Sequence, residues 1–315
     1  CVAFRTTTSA QRASQRARDE RTKRRPLHHY LVLRSLRMIV LIPLAAAAYA
    51  VKISAAECAA GRPLPATAQQ AAAVLCDLGY VVLSGSSGVL PPSLIGSAET
   101  RADAELQGML SRVKGLGFDP SSDSFSFSEI VHRSPQRYDL RLSRRRARAA
   151  PWKAVSTSVA DWVQPVLAAA EAERLRPVIE GVVTSLPGSE TQAFHMDGQH
   201  GFNAIVPLVD VGAHGTGTEF WPRSHRDASI EAAALAGPLV CAATQEVVQP
   251  KLGAGDVLLY NYRVVHRGPE NQGPHVRPLY YSAYAADTWN FPQESLAGME
   301  RRQKLYRVRK ALRLG

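Results

Sequence analysis

The sequence has few cysteines and no apolar run that could cross a membrane as a helix. The four cysteines lie far apart and form no CxxC pair: Cys1, Cys58, Cys76 and Cys241. This spacing predicts neither a disulfide framework nor a thiolate zinc site. The apolar stretch from Met38 to Val51 is interrupted by Pro43 and is shorter than the roughly 20 residues that a spanning helix needs.

Positive charge is in excess, and most of it lies near the N-terminus. The whole chain carries a net charge of +11, and residues 1–62, with twelve basic and three acidic side chains, account for +9 of it. Residues 63–315 carry only +2. The charge therefore predicts a basic tail, and we expect no nucleic-acid partner.

The stretch at residues 38–51 has the layout of a signal peptide or signal anchor. Arg34 and Arg37 precede its apolar core, and the small residues AAECAA follow it. Because the preceding segment is rich in arginine and poor in acids, transit into an organelle is an alternative, as is a buried helix without a targeting role. We expect secretory or organelle targeting, and any membrane association through this segment alone.

These features divide the chain into a basic tail at residues 1–62 and a folded domain at residues 63–315. Residues 1–26 lack apolar periodicity, so the sequence predicts disorder there. The first residue is Cys1 rather than methionine, which is expected of a fragment or an incomplete gene model.

The folded domain combines helices with a β-rich second half. Apolar residues at helical spacing predict helices at 66–78, 106–116, 158–175 and 294–314. After Pro177 come short β-rich runs separated by glycine, proline and asparagine: VIEGVVTSL, ETQAFHM, FNAIVPLVDV, TEFW, QEVVQP, DVLLYNY and RPLYYSAYA. Such runs predict a mainly β sandwich or barrel with flanking helices rather than alternating βαβ units.

One of these runs contains the segment FHMD, in which His195 and Asp197 carry the strongest chemical signal. Alternate side chains of a strand share a face, so this imidazole and carboxylate point the same way, about 7 Å apart. A distant histidine, His266, follows the strand-like segment DVLLYNYRVV. Two histidines and one carboxylate form the facial triad of non-haem iron(II), which leaves positions open for a cosubstrate and oxygen. We therefore predict a metal site formed by His195, Asp197 and His266.

Arg277 begins the apolar segment RPLYYSAY, eleven residues after His266. Its guanidinium is a planar, permanently charged fork that suits a carboxylate. The residue chemistry alone allows either an anionic ligand or a structural ion pair with an Asp or Glu at the rim.

From Gln69 to Trp289 the sequence resembles the phytanoyl-CoA dioxygenase-like branch of the iron(II)/2-oxoglutarate oxygenases. The resemblance lies in GYVVLSG, FHMD, GTEFWPRSHR and GDVLLYNYRVVHRGPENQGPHVRPLYYSAY. The last segment is the most specific, because it contains the second histidine, Asn271 and Arg277 in register.

The resemblance implies a double-stranded β-helix, that is, a cupin-like jelly roll, with helices packed outside it. It implies that His195, Asp197 and His266 hold iron(II), and that Arg277 binds the distal carboxylate of the cosubstrate 2-oxoglutarate. It also implies a dioxygenase that consumes O2, hydroxylates an unactivated C–H bond of a small organic or lipid-like substrate, and releases succinate and CO2. A family variant that halogenates has a small residue in place of the carboxylate ligand, so the presence of Asp197 favours hydroxylation.

Two positions depart from the family pattern. Arg223 stands where many relatives have the glycine of a PGSH turn, so a reshaped turn is expected before Ser224 and His225. Gly268 stands where some relatives have a serine that assists 2-oxoglutarate, which leaves the second contact to the carboxylate open.

Two other functions are compatible with these residues. One is a catalytically silent jelly roll that acts as a binding or scaffold module, tethered by its basic N-terminal arm. The other is a cupin-type zinc or manganese enzyme. The basic run from Arg141 to Arg148 could hold a phosphorylated or CoA-linked substrate or contact nucleic acid, but it has no interleaved aromatic residues and predicts a solvated loop.

Overall fold

A computed structural model describes residues 49–170, 172, 175–211, 217–236, 239, 246–285 and 295–313. The predicted disordered tail and all but the last three residues of the apolar segment 38–51 lie outside this range, as do Cys241, His214 and Trp289. In the described part of the chain, no helix combines the length and apolar character needed to span a membrane.

The described residues form seven α-helices. They are α1 (Ala55–Ala60), α2 (Pro65–Leu78), α3 (Pro92–Gly115), α4 (Arg144–Ala147), α5 (Trp152–Ala169), α6 (Ala228–Ala236) and α7 (Leu296–Arg313). Helices α2 and α7 match their predicted positions closely. Helix α3 begins well before the predicted start at residue 106, because the buried side of its first half includes small residues such as Ala98 and Ala102, which give a weak apolar signal.

Ten strands form two sheets. The strands are β1 (Ala50–Lys52), β2 (Tyr80–Ser84), β3 (Ile130–Ser134), β4 (Arg137–Arg141), β5 (Arg176–Ser185), β6 (Gly201–Pro207), β7 (Glu219–Phe220), β8 (Val257–Asn261), β9 (His266–Arg267) and β10 (Arg277–Ala285). Eight of them make one sheet in the order β1-β2-β8-β6-β10-β5-β4-β3, and β7 pairs with β9. Apart from the parallel pair β1–β2, the neighbours are antiparallel. The mainly β class with flanking helices is as predicted.

The folded part begins earlier than the predicted boundary at residue 63. Strand β1 pairs with β2, and Val51 is buried. The last residues of the apolar segment therefore complete a hydrophobic sheet. The hairpin of β3 and β4 also lies where the sequence predicts no strand.

Side chains of the sheet alternate between two layers, as the two-residue period of a strand requires. The outer layer packs against the helices and includes Val81, Leu140, Val206, Leu259 and Tyr280. The inner layer forms a second apolar cluster that includes Tyr80, Ile205, Leu258 and Tyr260. Tyr260 of this inner layer lines a cavity together with His195, Asp197 and His266. The inner face of the sheet therefore carries the residues of the candidate site.

Candidate metal centre and its cavity

Main-chain pairing brings the two predicted histidine ligands together. His195 and His266 form an antiparallel bridge in which each amide donates to the carbonyl of the other at 2.9 Å. The amide of Asp197 donates to the carbonyl of Tyr262, also at 2.9 Å. The segment FHMD is thus held by this bridge and by single hydrogen bonds rather than by the full strand that the sequence predicts.

The ligand atoms of the predicted triad converge on one point. One such atom from each of His195, Asp197 and His266 lies within 4.8 Å of the others, and among the described residues this is the group that could hold a metal ion. The Nε2 atoms of His195 and His266 lie 3.9 and 3.7 Å from the carboxylate oxygens of Asp197. The predicted triad is therefore brought together.

Hydrogen bonds to the opposite ring nitrogens orient both imidazoles. Nδ1 of His195 lies 2.8 Å from the carbonyl oxygen of Ala193, and Nδ1 of His266 lies 3.0 Å from that of Val264. A carbonyl can only accept, so Nδ1 carries a proton in each ring, and Nε2 is the nitrogen that can bind an ion. Both Nε2 atoms lie next to the carboxylate of Asp197.

The surroundings of the triad also set its ionisation. Burial alone would raise the pKa of Asp197, but the nearby His266 and His195 and a hydrogen bond from Tyr260 lower it below the usual value. Burial lowers the pKa of His266 to about 4. At neutral pH, Asp197 is a carboxylate and His266 is a neutral imidazole, which are the forms that bind a metal.

Tyr260 and Asn203 support the carboxylate ligand from behind. The Tyr260 hydroxyl donates to Oδ2 of Asp197 at 2.7 Å, and Nδ2 of Asn203 donates to that hydroxyl at 2.9 Å. Burial, followed by the charge of Asp197, raises the pKa of Tyr260, so the hydroxyl stays protonated. Sequence reasoning missed both residues, although the alternation in DVLLYNY could have placed Tyr260 on the inner face.

The turn at Arg223 keeps the shape that the family glycine would allow. Arg223 has a φ of 66°, a left-handed conformation that glycine adopts at lower cost, and its guanidinium pairs with Asp77 at 2.7 Å. The next residue, Ser224, accepts a hydrogen bond from the amide of Val265 at 2.8 Å. The turn is thus strained at Arg223, and the hydrogen bond to Ser224 fixes the main chain at Val265, next to His266.

A cavity of about 260 Å³ lies beside the triad on the inner face of the sheet. At one end, Arg137 on β4 and Arg277 on β10 both pair with Ser185 on the intervening β5. Their guanidiniums donate to the same carbonyl oxygen, that of Pro269, at 2.7 and 2.9 Å. Arg137 and Ser185 are among the residues that line the cavity, and Arg277 lies buried next to them.

Arg137 is a functional candidate that the sequence did not assign. The side chain is almost fully buried, its hydrogen bonds go to backbone carbonyls, and Nε has no partner among the described residues. Burial lowers the pKa of Arg137 to about 10. A Cβ at Gly268 would lie 2.5 Å from Nη1 of Arg137, so the glycine that replaces the family serine leaves space for this guanidinium.

The residues present fit both an iron(II) ion and a dicarboxylate. Two neutral imidazoles and one carboxylate are the donor set of non-haem iron(II). At the arginine end of the cavity, Arg137 is a buried guanidinium whose Nε–H has no partner among the described residues. Such burial is costly unless an anion offsets the desolvation.

Other basic residues lie in different surroundings. His225 lies 3.2 Å from the carbonyl oxygen of Cys76, and His200 and His275 are exposed. The prediction of a solvated loop from residue 141 to 148 is wrong: Arg141 ends β4 and lines the cavity, because alternate residues of that strand face inward, and Arg144–Ala147 form helix α4.

Comparison with known proteins identifies the family of this chain. A family model described as phytanoyl-CoA dioxygenase (PhyH) matches residues 75–279. The search of curated proteins finds no match. Among solved structures, the non-heme alpha ketoglutarate dependent epimerase SnoN from nogalamycin biosynthesis is 20% identical, covers 70% of this chain and 82% of its own, and superposes with a TM-score of 0.50.

Two further solved structures are similar at lower scores. The carbocyclase SnoK, also from nogalamycin biosynthesis, is 15% identical over 74% of this chain and 89% of its own, with a TM-score of 0.48. AviO1 from Streptomyces viridochromogenes Tue57 is 20% identical over 73% of this chain and 98% of its own, with a TM-score of 0.46. The likeness to SnoN concerns the fold and confirms the predicted jelly roll. Because the family model spans well over half of the sequence, the chain belongs to the phytanoyl-CoA dioxygenase family of 2-oxoglutarate-dependent oxidoreductases.

Proposed function

We propose that this protein is an iron(II)- and 2-oxoglutarate-dependent dioxygenase that hydroxylates an unactivated C–H bond of a small organic substrate. The observation that carries the proposal is the convergence of His195, Asp197 and His266 beside a cavity with an arginine-lined end. When bound, iron(II) and 2-oxoglutarate supply the oxidising chemistry: one atom of O2 enters the substrate and the other enters succinate, with release of CO2.

The protein's own residues hold and orient the reactants. His195, Asp197 and His266 hold the ion, and Tyr260 keeps the Asp197 carboxylate aligned through its hydrogen bond. Arg277 and its neighbour Arg137 bind the distal carboxylate of 2-oxoglutarate. The proposal thus retains the role predicted for Arg277 and adds Arg137, which lines the cavity, as the second cationic contact.

The first experiment asks whether the predicted cosubstrate binds at the triad. Anaerobic protein with iron(II) and 2-oxoglutarate is expected to show the weak visible charge-transfer band of the chelate. His266→Ala is expected to lose the band, whereas His275→Ala, which alters an exposed histidine, is expected to keep it. A native protein without the band would instead favour a catalytically silent binding module.

A second experiment identifies the reaction. Under air, succinate formation stimulated by a candidate compound, together with oxygen-18 from labelled O2 in the product, is expected for a hydroxylase. The fold neighbour SnoN is an epimerase by name, so product analysis must also look for inversion of a stereocentre without oxygen incorporation. Zinc or manganese as the active ion, with no succinate formed, would favour the cupin-type alternative.

A further inference from the structure

Charged residues of β3 and β4 form a second polar group in the cavity, away from the arginine end described above. The inward-facing residues of β4 are Arg137, Asp139 and Arg141, and Arg133 of β3 joins them as a lining residue. We call Arg133, Asp139 and Arg141, together with Tyr281 of β10, the arginine–aspartate cluster. The cofactor chemistry proposed above uses none of its members.

The single carboxylate of this cluster is already fully engaged. Asp139 is completely buried, and its Oδ2 accepts hydrogen bonds from Nε of Arg133 at 3.1 Å and from Nη2 of the same residue. Nε of Arg141 lies 3.7 Å from Oδ2, and the hydroxyl of Tyr281 donates to Oδ1 at 2.9 Å. Asp139 therefore positions the guanidiniums of Arg133 and Arg141, and it is not a binding site for an additional cation.

Within the cluster itself, two guanidiniums lie around one carboxylate, so its members together carry one positive charge in excess. The side chain of Arg133 is 43% exposed, while that of Arg141 is 14% exposed, so the charge of Arg133 is accessible from the cavity. Arg133, Asp197 and His266 line the same cavity, so this charge faces the space beside the triad. A positive group at this position attracts a compact anion bound next to the metal centre.

Gly181 makes this arrangement possible. It is the direct partner of Tyr281 on β10 and of Arg141 on β4. A Cβ at Gly181 would lie 2.6 Å from the ring of Tyr281, so only glycine lets this ring cross strand β5 and reach Asp139. The close packing indicates that the cluster is built into the sheet rather than formed by chance contacts.

The cluster extends along the sheet from the arginine end of the cavity, with Asp139 two residues beyond Arg137 on β4, about 7 Å along the strand. Strand β10 places Tyr281 four residues beyond Arg277, which corresponds to about 13 Å along the strand. Apolar side chains of the inner face lie among these polar groups: Ile179, Val183, Ile205, Leu279 and Ala283. The cavity thus has one cationic end for the cosubstrate, an apolar wall, and a second cationic group.

We propose that the primary substrate is a small organic anion whose carboxylate or phosphate binds Arg133 and Arg141, while its apolar part lies against the cavity wall beside the triad. This inference rests on the proposed function and specifies its substrate class. An oxyanion accepts hydrogen bonds from the guanidiniums and neutralises the excess charge, and the buried apolar part favours binding by the hydrophobic effect.

The test uses matched ligands that differ only in charge. Anaerobic protein loaded with iron(II) and 2-oxoglutarate is titrated calorimetrically with acid and primary-amide pairs, from acetate and acetamide to octanoate and octanamide, with phenylacetate and phenylacetamide, and with inorganic phosphate. We expect at least one of the carboxylates, or phosphate, to bind. Any carboxylate that binds is expected to bind at least about tenfold more tightly than the matching amide. Binding of phosphate but of no carboxylate would indicate that the arginine–aspartate cluster binds phosphorylated substrates.

Variants show whether the cluster is responsible. Arg133→Gln and Arg141→Gln are each expected to weaken anion binding about tenfold or more, Arg133→Lys less, and the exposed Arg145→Gln not at all. Asp139→Asn removes the carboxylate that positions both guanidiniums and is expected to weaken anion binding, although it raises the positive charge of the cluster. The thermal midpoint of each variant distinguishes this effect from a loss of folding.

Three results would overturn the proposal: equal affinity for acid and amide in every pair with no phosphate binding, anion binding that survives both arginine substitutions, or loss of the 2-oxoglutarate band in Arg133→Gln. The last result would assign the cluster to the cosubstrate. Absence of that band in the native protein would instead refute the proposed function, while calorimetry without iron and 2-oxoglutarate would still report on the anion.

Discussion

The two walls of the cavity position their charged groups in different ways. On the metal wall, formed by His195, Asp197, His266 and Tyr260, short bridges and single side-chain hydrogen bonds orient the ligands. On the cationic wall, formed by β3, β4 and the inward residues of β5 and β10, continuous strand pairing positions the charges, with Arg133 at a register shift between β3 and β4. Substitutions that change the chemistry of a side chain but not its size are therefore expected to affect the metal wall most. Substitutions that add volume are expected to affect the cationic wall most.

The strongest test of this contrast is Asp197→Asn, which keeps the size of the side chain and removes its charge. We expect iron(II) affinity to fall by more than about 100-fold, because loss of a ligand costs more than loss of a supporting contact. Titration with iron(II) under anaerobic conditions measures the effect. Asp103→Asn, an exposed change on α3, serves as the control, and an unchanged affinity in Asp197→Asn would contradict the assignment of the triad.

Tyr260→Phe removes one hydroxyl from the metal wall and is expected to have a smaller effect. The Asp197 carboxylate loses the hydrogen bond that orients it, and we expect iron(II) affinity to fall about 10- to 100-fold with the fold retained. Tyr49→Phe, which removes the hydroxyl that accepts from the amide of Lys251, provides a matched control. Equal iron affinities for the two variants would mean that Tyr260 does not support the metal.

Gly181→Ala applies the opposite change to the cationic wall, since it adds volume without altering charge. The new Cβ would meet the carbonyl oxygen of Leu140 at 2.5 Å as well as the Tyr281 ring, and we expect a loss of about 1–3 kcal/mol in the free energy of unfolding. Gly108→Ala on α3, where a Cβ meets nothing within 4 Å, is expected to stabilise by up to about 1 kcal/mol. Denaturant unfolding compares the two, and equal values would show that the wall tolerates volume.

A third region, the capping box of α1, supplies a stability effect that belongs to neither wall. Burial would raise the pKa of Glu57, but hydrogen bonds from Ser54 and Leu64 lower it to about 2. A lowered folded-state pKa contributes stability above the unfolded value of 4.5, and this contribution is lost as the pH falls from about 4.5 to 2.

Substitution of this carboxylate therefore gives the smallest of the four effects. At neutral pH, Glu57→Gln is expected to lower the free energy of unfolding by about 1–2 kcal/mol. The difference from the native protein should shrink as the pH falls towards 2, with iron(II) affinity unchanged. The exposed Glu99→Gln is the control, and a difference that is independent of pH would refute the assignment.

The sequence predicted the metal wall better than the cationic wall, for physical reasons. His195, Asp197 and His266 are chemically distinctive, and their pattern is typical of one kind of ion. The pattern of β4, RYDLR, places charges on the inner face and apolar residues on the outer face. Such charges inside a barrel are unusual, so the sequence left Arg137 and Asp139 unassigned and placed Arg141 in a solvated loop.

Two other differences arise from ambiguity in apolar segments. The residues of β1 belong to a stretch whose short length and basic flank also fit a targeting signal, and only pairing with β2 shows their place in the sheet. Supporting residues such as Tyr260 were missed because a strand pattern gives the face of a side chain but not its partner. The role of Ser224 likewise depends on a contact with Val265, 41 residues away.

The reciprocal peptide hydrogen bonds between His195 and His266 have a consequence for ion selectivity. Because the main chain sets the separation of the two imidazoles, every divalent first-row ion meets the same donors. The affinity of such donors follows the Irving–Williams order, in which nickel and copper exceed iron. Cellular supply rather than the protein then selects the resident ion, and purification on a nickel resin is expected to yield mismetallated protein.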